Sequence, residues 1–142
     1  AQYIYANGAA HNKRVQAFGG AKNHLIILPD ADMENVVNQL IGSGYGSAGE
    51  RCMATPVAVP VGEKTAETLV SMLKPRVESL RIGPSMSEDS DLGPLVTAAH
   101  KKRVEGYIQM AIDEGQTPVV DGRGFTLQGY ERGFFLGGTL LD

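Results

Sequence analysis

Cys52 is the one cysteine of the 142-residue chain, and it sits in the run Gly46-Ser47-Ala48-Gly49-Glu50-Arg51-Cys52-Met53. A lone thiol cannot form a disulfide within its own chain, so it is either inert filling or a reactive group. Reactivity belongs to the thiolate, which needs a positive neighbour, small residues around it and a path for substrate. Arg51 supplies the charge, while Ala48 and Gly49 supply the space. The competing reading is a buried cysteine that behaves as a small hydrophobe.

Other residues offer weaker chemistry. Gly44-Tyr45-Gly46-Ser47-Ala48-Gly49 spells the Gly-x-Gly-x-x-Gly string of dinucleotide folds, but that fingerprint requires a strand before it and a helix after it. Here a helical pattern precedes and a strand pattern follows, so the glycines are read as letting backbone and substrate approach the thiol. His11, His24 and His100 are scattered without metal-ligand spacing, and no metal site is expected. A cysteine–histidine hydrolase is the rival enzyme class, yet papain-like enzymes place the thiol at the start of a helix, whereas Cys52 precedes a strand-like Pro56–Val61.

The run Gly49-Glu50-Arg51-Cys52 resembles the Gly-Gln-x-Cys nucleophile segment of the aldehyde dehydrogenase superfamily. Phe18-Gly19-Gly20-Ala21-Lys22-Asn23 resembles its Glu-Leu-Gly-Gly-Lys segment, and Leu28-Pro29-Asp30-Ala31-Asp32 its Asp-Ala-Asp signature. Ile82-Gly83-Pro84, Gly93-Pro94-Leu95-Val96, and Gly133-Phe134-Phe135-Leu136 with Thr139-Leu140-Leu141-Asp142 resemble three further landmarks in family order. The chain departs from the hydrolytic members at Ala17, where they carry the glutamate that deprotonates water. Without that general base a thioester on the cysteine persists until another nucleophile takes the acyl group. The surrounding Arg14–His24 segment resembles the CoA-acylating, methylmalonate-semialdehyde dehydrogenase branch.

The resemblance implies a full reaction. The Cys52 thiolate attacks a malonate or methylmalonate semialdehyde, its backbone N–H helps hold the oxyanion, and hydride passes to NAD. Coenzyme A then accepts the acyl group, and loss of the β-carboxylate gives acetyl-CoA or propionyl-CoA. Arg51 is the candidate grip for the substrate carboxylate, through paired charge-assisted hydrogen bonds; its other reading is a solvated or salt-bridged arginine. Glu50 is read as structural. Gly19 is placed near the nicotinamide. A hydrolytic aldehyde dehydrogenase with its base elsewhere, and a non-catalytic self-associating module, stay open beside this reading.

The composition is ordinary for a globular chain, at 42% apolar and 20% charged. A net charge of −3 without basic runs gives no footprint for nucleic acid. No apolar stretch is long enough to cross a bilayer and no signal-peptide pattern opens the chain, so a cytoplasmic location is expected, or the mitochondrial matrix in a eukaryote.

The elements that must position the thiol are legible from periodicity. The first residues read as a helix ending near Gly8, Arg14–Phe18 as a short strand, and Leu25-Ile26-Ile27-Leu28 as a strand covered on both faces. Asp32 is a candidate N-cap for a helix with its stripe at Met33, Val36, Val37, Leu40, Ile41 and Tyr45. Pro56–Val61 is the next strand, again buried. Ala66, Leu69, Val70, Leu73, Val77 and Leu80 mark a second helix kinked at Pro75. Thr97 caps a third, with Val104, Tyr107, Ile108, Ala111 and Ile112 inward and Gly115 as its stop. Thr117–Val120 and Phe134–Leu141 close the chain as strands around a loop at 122–133.

The expected fold class is α/β, a parallel-sheet catalytic domain of the aldehyde dehydrogenase type, truncated. By the resemblance, residues 1–20 are the end of an NAD-binding domain and 21–142 part of the thiol-bearing catalytic domain. Self-association into a homo-oligomer is expected, because uncovered sheet edges recruit other strands.

Overall fold

Asp32 starts the helix that leads to the thiol. Its carboxylate accepts hydrogen bonds from the Glu34 and Asn35 amides, at 3.1 and 3.3 Å, which satisfies donors that the first turn otherwise leaves open. In this computed structural model, which describes residues 1–142, that helix is α2 (Met33–Leu40), preceded by α1 (Gln2–Ala10) and β1 (His24–Ile27). A π-helical turn (Ile41–Tyr45) and a 3₁₀ turn (Gly46–Gly49) continue it towards Cys52. Then come β2 (Val57–Pro60), α3 (Glu63–Glu78), α4 (Ala98–Asp113), β3 (Pro118–Val120) and β4 (Leu140–Leu141).

The core forms where β1, α2 and α3 meet. Ile27, Val37, Leu40, Leu69, Leu73 and Val77 are buried together, and on α3 the i, i+4 spacing from Leu69 through Leu73 to Val77 gives one continuous apolar stripe. Pro75 lies on the exposed side of that helix, which runs past it to Glu78. Thr97 caps α4 as expected, its hydroxyl accepting from the His100 amide at 3.1 Å. Gly115 ends α4 with φ of +97°, a left-handed conformation that costs glycine little.

Five expectations need correction. The sheet is not wholly parallel: β1 and β2 pair in parallel, His24 against Val57 through Ile27 against Pro60, but β3 and β4 pair antiparallel. Gly122 and Gly137 let the backbones beside the second pair come close. A Cβ on Gly137 would lie 2.7 Å from Gly122 Cα, so only two bare backbones can approach this closely, and Gly137 N–H donates to Gly122 O at 3.0 Å. The closing strand is accordingly shorter than expected, and Phe134–Gly138 is irregular.

Arg14–Phe18 alternates in burial like a strand, with Val15 and Ala17 half-buried, but pairs with nothing. An extended segment without a partner ladder is not a strand. Both parallel strands are covered on one side only, since Ile26 is 68% exposed and Val59 39%. On α4, Tyr107 is 61% exposed and Ile108 alone is fully buried, because only the stripe through Ile108 faces the rest of the chain.

Candidate active site

Cys52 occupies a tight turn between the glycine-rich segment and β2. The Ala54 amide donates to Arg51 O at 3.2 Å, which makes Arg51–Ala54 a β-turn with Cys52 and Met53 at its centre. The thiol is exposed. Neither the Cys52 nor the Met53 amide donates to any acceptor in the chain, so both N–H groups are available to a ligand.

The turn is held from several directions. Asn23, at the entry to β1, donates through Nδ2 to Cys52 O at 3.0 Å and to Ala54 O at 2.8 Å. Ser43 in the π-helical turn and Thr55 just past the thiol hydrogen-bond through their hydroxyls. Glu50 Oε1 meets His100 Nε2 at 3.1 Å, tying the thiol segment to the start of α4. Arg51 Nη1 donates to Gly42 O at 3.3 Å, and its guanidinium packs on Gly46, where an added Cβ would come within 3.1 Å. These ties restrain the backbone around Cys52 and leave its sulfur free.

Ser47, Ala48 and Gly49 take left-handed backbone angles in succession, with φ of +56°, +54° and +73°. Such a conformation costs about 1–2 kcal/mol at each residue that carries a Cβ. The chain therefore reverses within three residues and delivers Cys52 next to the start of β2. Strain of this kind persists where the surrounding structure over-determines it, and it concentrates at functional sites.

Tyr45 anchors the same segment from behind. Its hydroxyl donates to Thr139 O at 2.9 Å, and burial pushes the phenol up to about 12. It borders a cavity of about 500 Å³ that Ala48, Gly49, Pro56, Leu73 and Leu140 also line. Cys52 does not line that cavity and is exposed.

The remaining sequence candidates fall as follows. Ala17 and Gly19 lie in the extended 14–23 segment, Ala17 half-buried and Gly19 exposed. All three histidines have other partners: His11 Nδ1 pairs with Asn7 O, His24 Nδ1 with Lys22 O, and His100 with Glu50. None hydrogen-bonds to Cys52, and no helix starts there, so nothing in the geometry favours a cysteine–histidine hydrolase. Asn23 and His100 are the site residues that sequence reasoning missed. Asn23 lay inside a quoted motif, but its partners are 29 and 31 residues away, and no spacing signals that.

The three further landmarks are joined by backbone hydrogen bonds. Gly83 N–H donates to Leu92 O at 3.1 Å and Leu95 N–H to Phe134 O at 3.0 Å, stacking the segments at 82–84, 93–96 and 133–136 against one another. Arg81 holds the loop between the first two by pairing with Asp91 at 2.8 Å, which pulls that carboxyl down to about 2.

Over residues 1–142 the sequence matches the aldehyde dehydrogenase family. The chain belongs to that family. A malonate-semialdehyde dehydrogenase of Pseudomonas aeruginosa is 54% identical over all of this chain and 29% of its own length. Among solved structures, a Sinorhizobium meliloti protein crystallised with NAD, provisionally assigned as a methylmalonate-semialdehyde dehydrogenase, superposes with a TM-score of 0.96 at 58% identity. It is matched over all of this chain and 29% of its own. The methylmalonate-semialdehyde dehydrogenase of Oceanimonas doudoroffii follows, with a TM-score of 0.93 at 51% identity over 99% of this chain and 29% of its own. The chain thus spans under a third of the length of these relatives.

Proposed function

We propose that this chain carries the nucleophile of an NAD-dependent, CoA-acylating dehydrogenase that turns malonate or methylmalonate semialdehyde into acetyl-CoA or propionyl-CoA. The observation that carries the reading is the exposed Cys52 in a turn restrained on all sides, with its own N–H unpartnered. The thiolate attacks the aldehyde carbon, and the Cys52 N–H donates to the oxygen as charge develops on it. Arg51 lies next in sequence and is exposed; releasing Gly42 O would let its guanidinium reach a substrate carboxylate.

For NAD, what the chain itself offers is Gly19 and Gly20. Nothing lies within 4 Å of a Cβ built on Gly20, and one on Gly19 would meet only the Ala1 Cβ at 3.7 Å. A bare backbone with open space above it fits the face of a flat ring. When bound, NAD supplies the hydride acceptor that turns the Cys52 adduct into a thioester. Ala17 presents only a methyl group where a water-activating carboxylate would stand, which supports transfer of the acyl group to CoA rather than to water.

Residues 1–20 are read as the end of an NAD-binding unit and 21–142 as part of the catalytic unit. That division is supported by α1, which buries no residue against the rest. The apolar exposure of Tyr3, Ile4 and Tyr5 on α1, and of Ile26 and Leu28 at β1, supports association with further copies; a monodisperse monomer by light scattering would count against it. No helix is long and apolar enough to cross a membrane.

The test is NADH formation from methylmalonate semialdehyde with and without CoA, in this chain and in a longer protein that contains it, each beside Cys52→Ala. The reading expects CoA-dependent turnover in the longer protein that disappears with Cys52→Ala. CoA-independent release of a free acid would move the assignment to the hydrolytic branch, and turnover that survives Cys52→Ala would remove the nucleophile.

A further inference from the structure

Asn23 stands out as a side chain whose hydrogen bonds have no local purpose. It neither caps a helix nor closes a turn of its own. Its carboxamide crosses to a segment 29 residues away and spends its donors on the two carbonyls that bracket the thiol turn, Cys52 O at 3.0 Å and Ala54 O at 2.8 Å. Asn23 is itself half-buried, directly before the paired residues of β1, so its backbone is fixed by the strand it leads into.

The consequence follows from peptide geometry. A peptide unit is planar, and in the trans form its C=O and N–H point in opposite directions; this chain contains no cis peptide bond. The Arg51 O to Ala54 N–H bond orients the peptide plane before the Cys52 Cα, and the Asn23 to Cys52 O bond orients the plane after it. With both planes set, the start of the Cys52 side chain and the direction of its free N–H are set as well. The amides on the unbonded side, Cys52 and Met53, have no acceptor in the chain, and they are the donors nearest in sequence to the sulfur.

We propose that Asn23 is a positioning residue for the nucleophile: its bidentate clamp on Cys52 O and Ala54 O holds the thiol turn so that main-chain N–H groups face the oxygen of a carbonyl under attack by Cys52. The proposal deepens the reading of Cys52 as nucleophile and rests on it. Asn23 touches neither substrate nor sulfur. Its contribution is the order it imposes on donors that already exist, so the effect of removing it is smaller than the loss of an oxyanion donor outright.

Two reactions of the single thiol separate positioning from mere exposure. Acylation by p-nitrophenyl acetate passes through a tetrahedral oxyanion: the Cys52 sulfur bonds to the acetyl carbon, the carbonyl re-forms, and p-nitrophenolate leaves. Alkylation by iodoacetamide displaces iodide at a saturated carbon and forms no oxyanion. Cys52 is the only cysteine, and the acylation rate is taken after subtracting that of Cys52→Ala, since imidazole and amine groups also accept acetyl from the ester, so both rates report on that one site.

Asn23→Ala should slow acylation about tenfold, below the hundredfold or more lost with a whole oxyanion donor, while alkylation changes less than about twofold. Asn23→Ser, which keeps a hydroxyl donor and costs less packing, should fall between wild type and Asn23→Ala in acylation. Circular dichroism of each variant establishes that the fold is retained, and the Asn23→Ser series carries the test if Asn23→Ala does not fold. Equal acylation in folded variants and wild type, or acylation and alkylation falling by the same factor, would overturn the proposal. If instead turnover of the longer protein survives Cys52→Ala, the functional reading fails, and that result is independent of the acylation-to-alkylation ratio.

Discussion

Replacing Tyr45 with phenylalanine tests how the glycine segment before Cys52 is moored. The Tyr45 hydroxyl donates to Thr139 O, 94 residues away, and links the π-helical turn to the residue before β4. Removing it leaves a part-buried carbonyl without its donor, at a cost of about 1–2 kcal/mol at neutral pH. The ionisation predicts a second, opposite effect. Burial disfavours the phenolate and raises the group from 10.0 to about 12, so the folded state keeps its proton where the unfolded state gives it up. The stabilisation from this group is complete below pH 10 and is lost as pH rises towards 12. A shift of two units corresponds to about 3 kcal/mol.

Urea unfolding of wild type and Tyr45→Phe, followed by circular dichroism at pH 8 and at intervals from pH 9 to 12, measures both effects. The difference between the two proteins cancels every other titrating group. Wild type should be the more stable at pH 8 by about 1–2 kcal/mol, the gap should close above pH 10, and the order should reverse by about 1 kcal/mol near pH 12. A gap that stays constant from pH 8 to pH 12 would refute the argument, because it would mean that the phenol is equally solvated in both states.

Ala48→Gly should stabilise the chain by about 1 kcal/mol, since glycine adopts the observed φ of +54° without the Cβ clash; a loss of stability in thermal melts would show that the turn is not strained. Gly122→Ala should destabilise by about 1–3 kcal/mol, because an added Cβ overlaps the Gly137 carbonyl and forces the β3–β4 backbones apart. An unchanged denaturation midpoint would count against that close approach.

What the sequence determined by itself is what neighbours along the chain decide. The thiol motif and its family landmarks, the caps at Asp32 and Thr97, the apolar stripe of α3 and the stop at Gly115 all depend on residues within about a turn of one another. Continuous apolar runs marked β1 and β2 correctly as strands, but hydrophobicity alone could not tell that Ile26 and Val59 face outwards. The close backbone approach of Gly122 and Gly137 beside β3 and β4 is something no side-chain pattern reports.

The site shows the same division. Cys52 stood out as a candidate because charge and small residues lie beside it in sequence. The partners that hold it in place did not: Asn23 reaches across 29 residues, Ser43 across 12 to Thr55, and His100 across the chain to Glu50. Hydrogen-bond partners far apart in sequence leave no periodicity behind. They are fixed only when β1, the end of α2 and the start of α4 come together around the turn, and packing of the whole chain decides that.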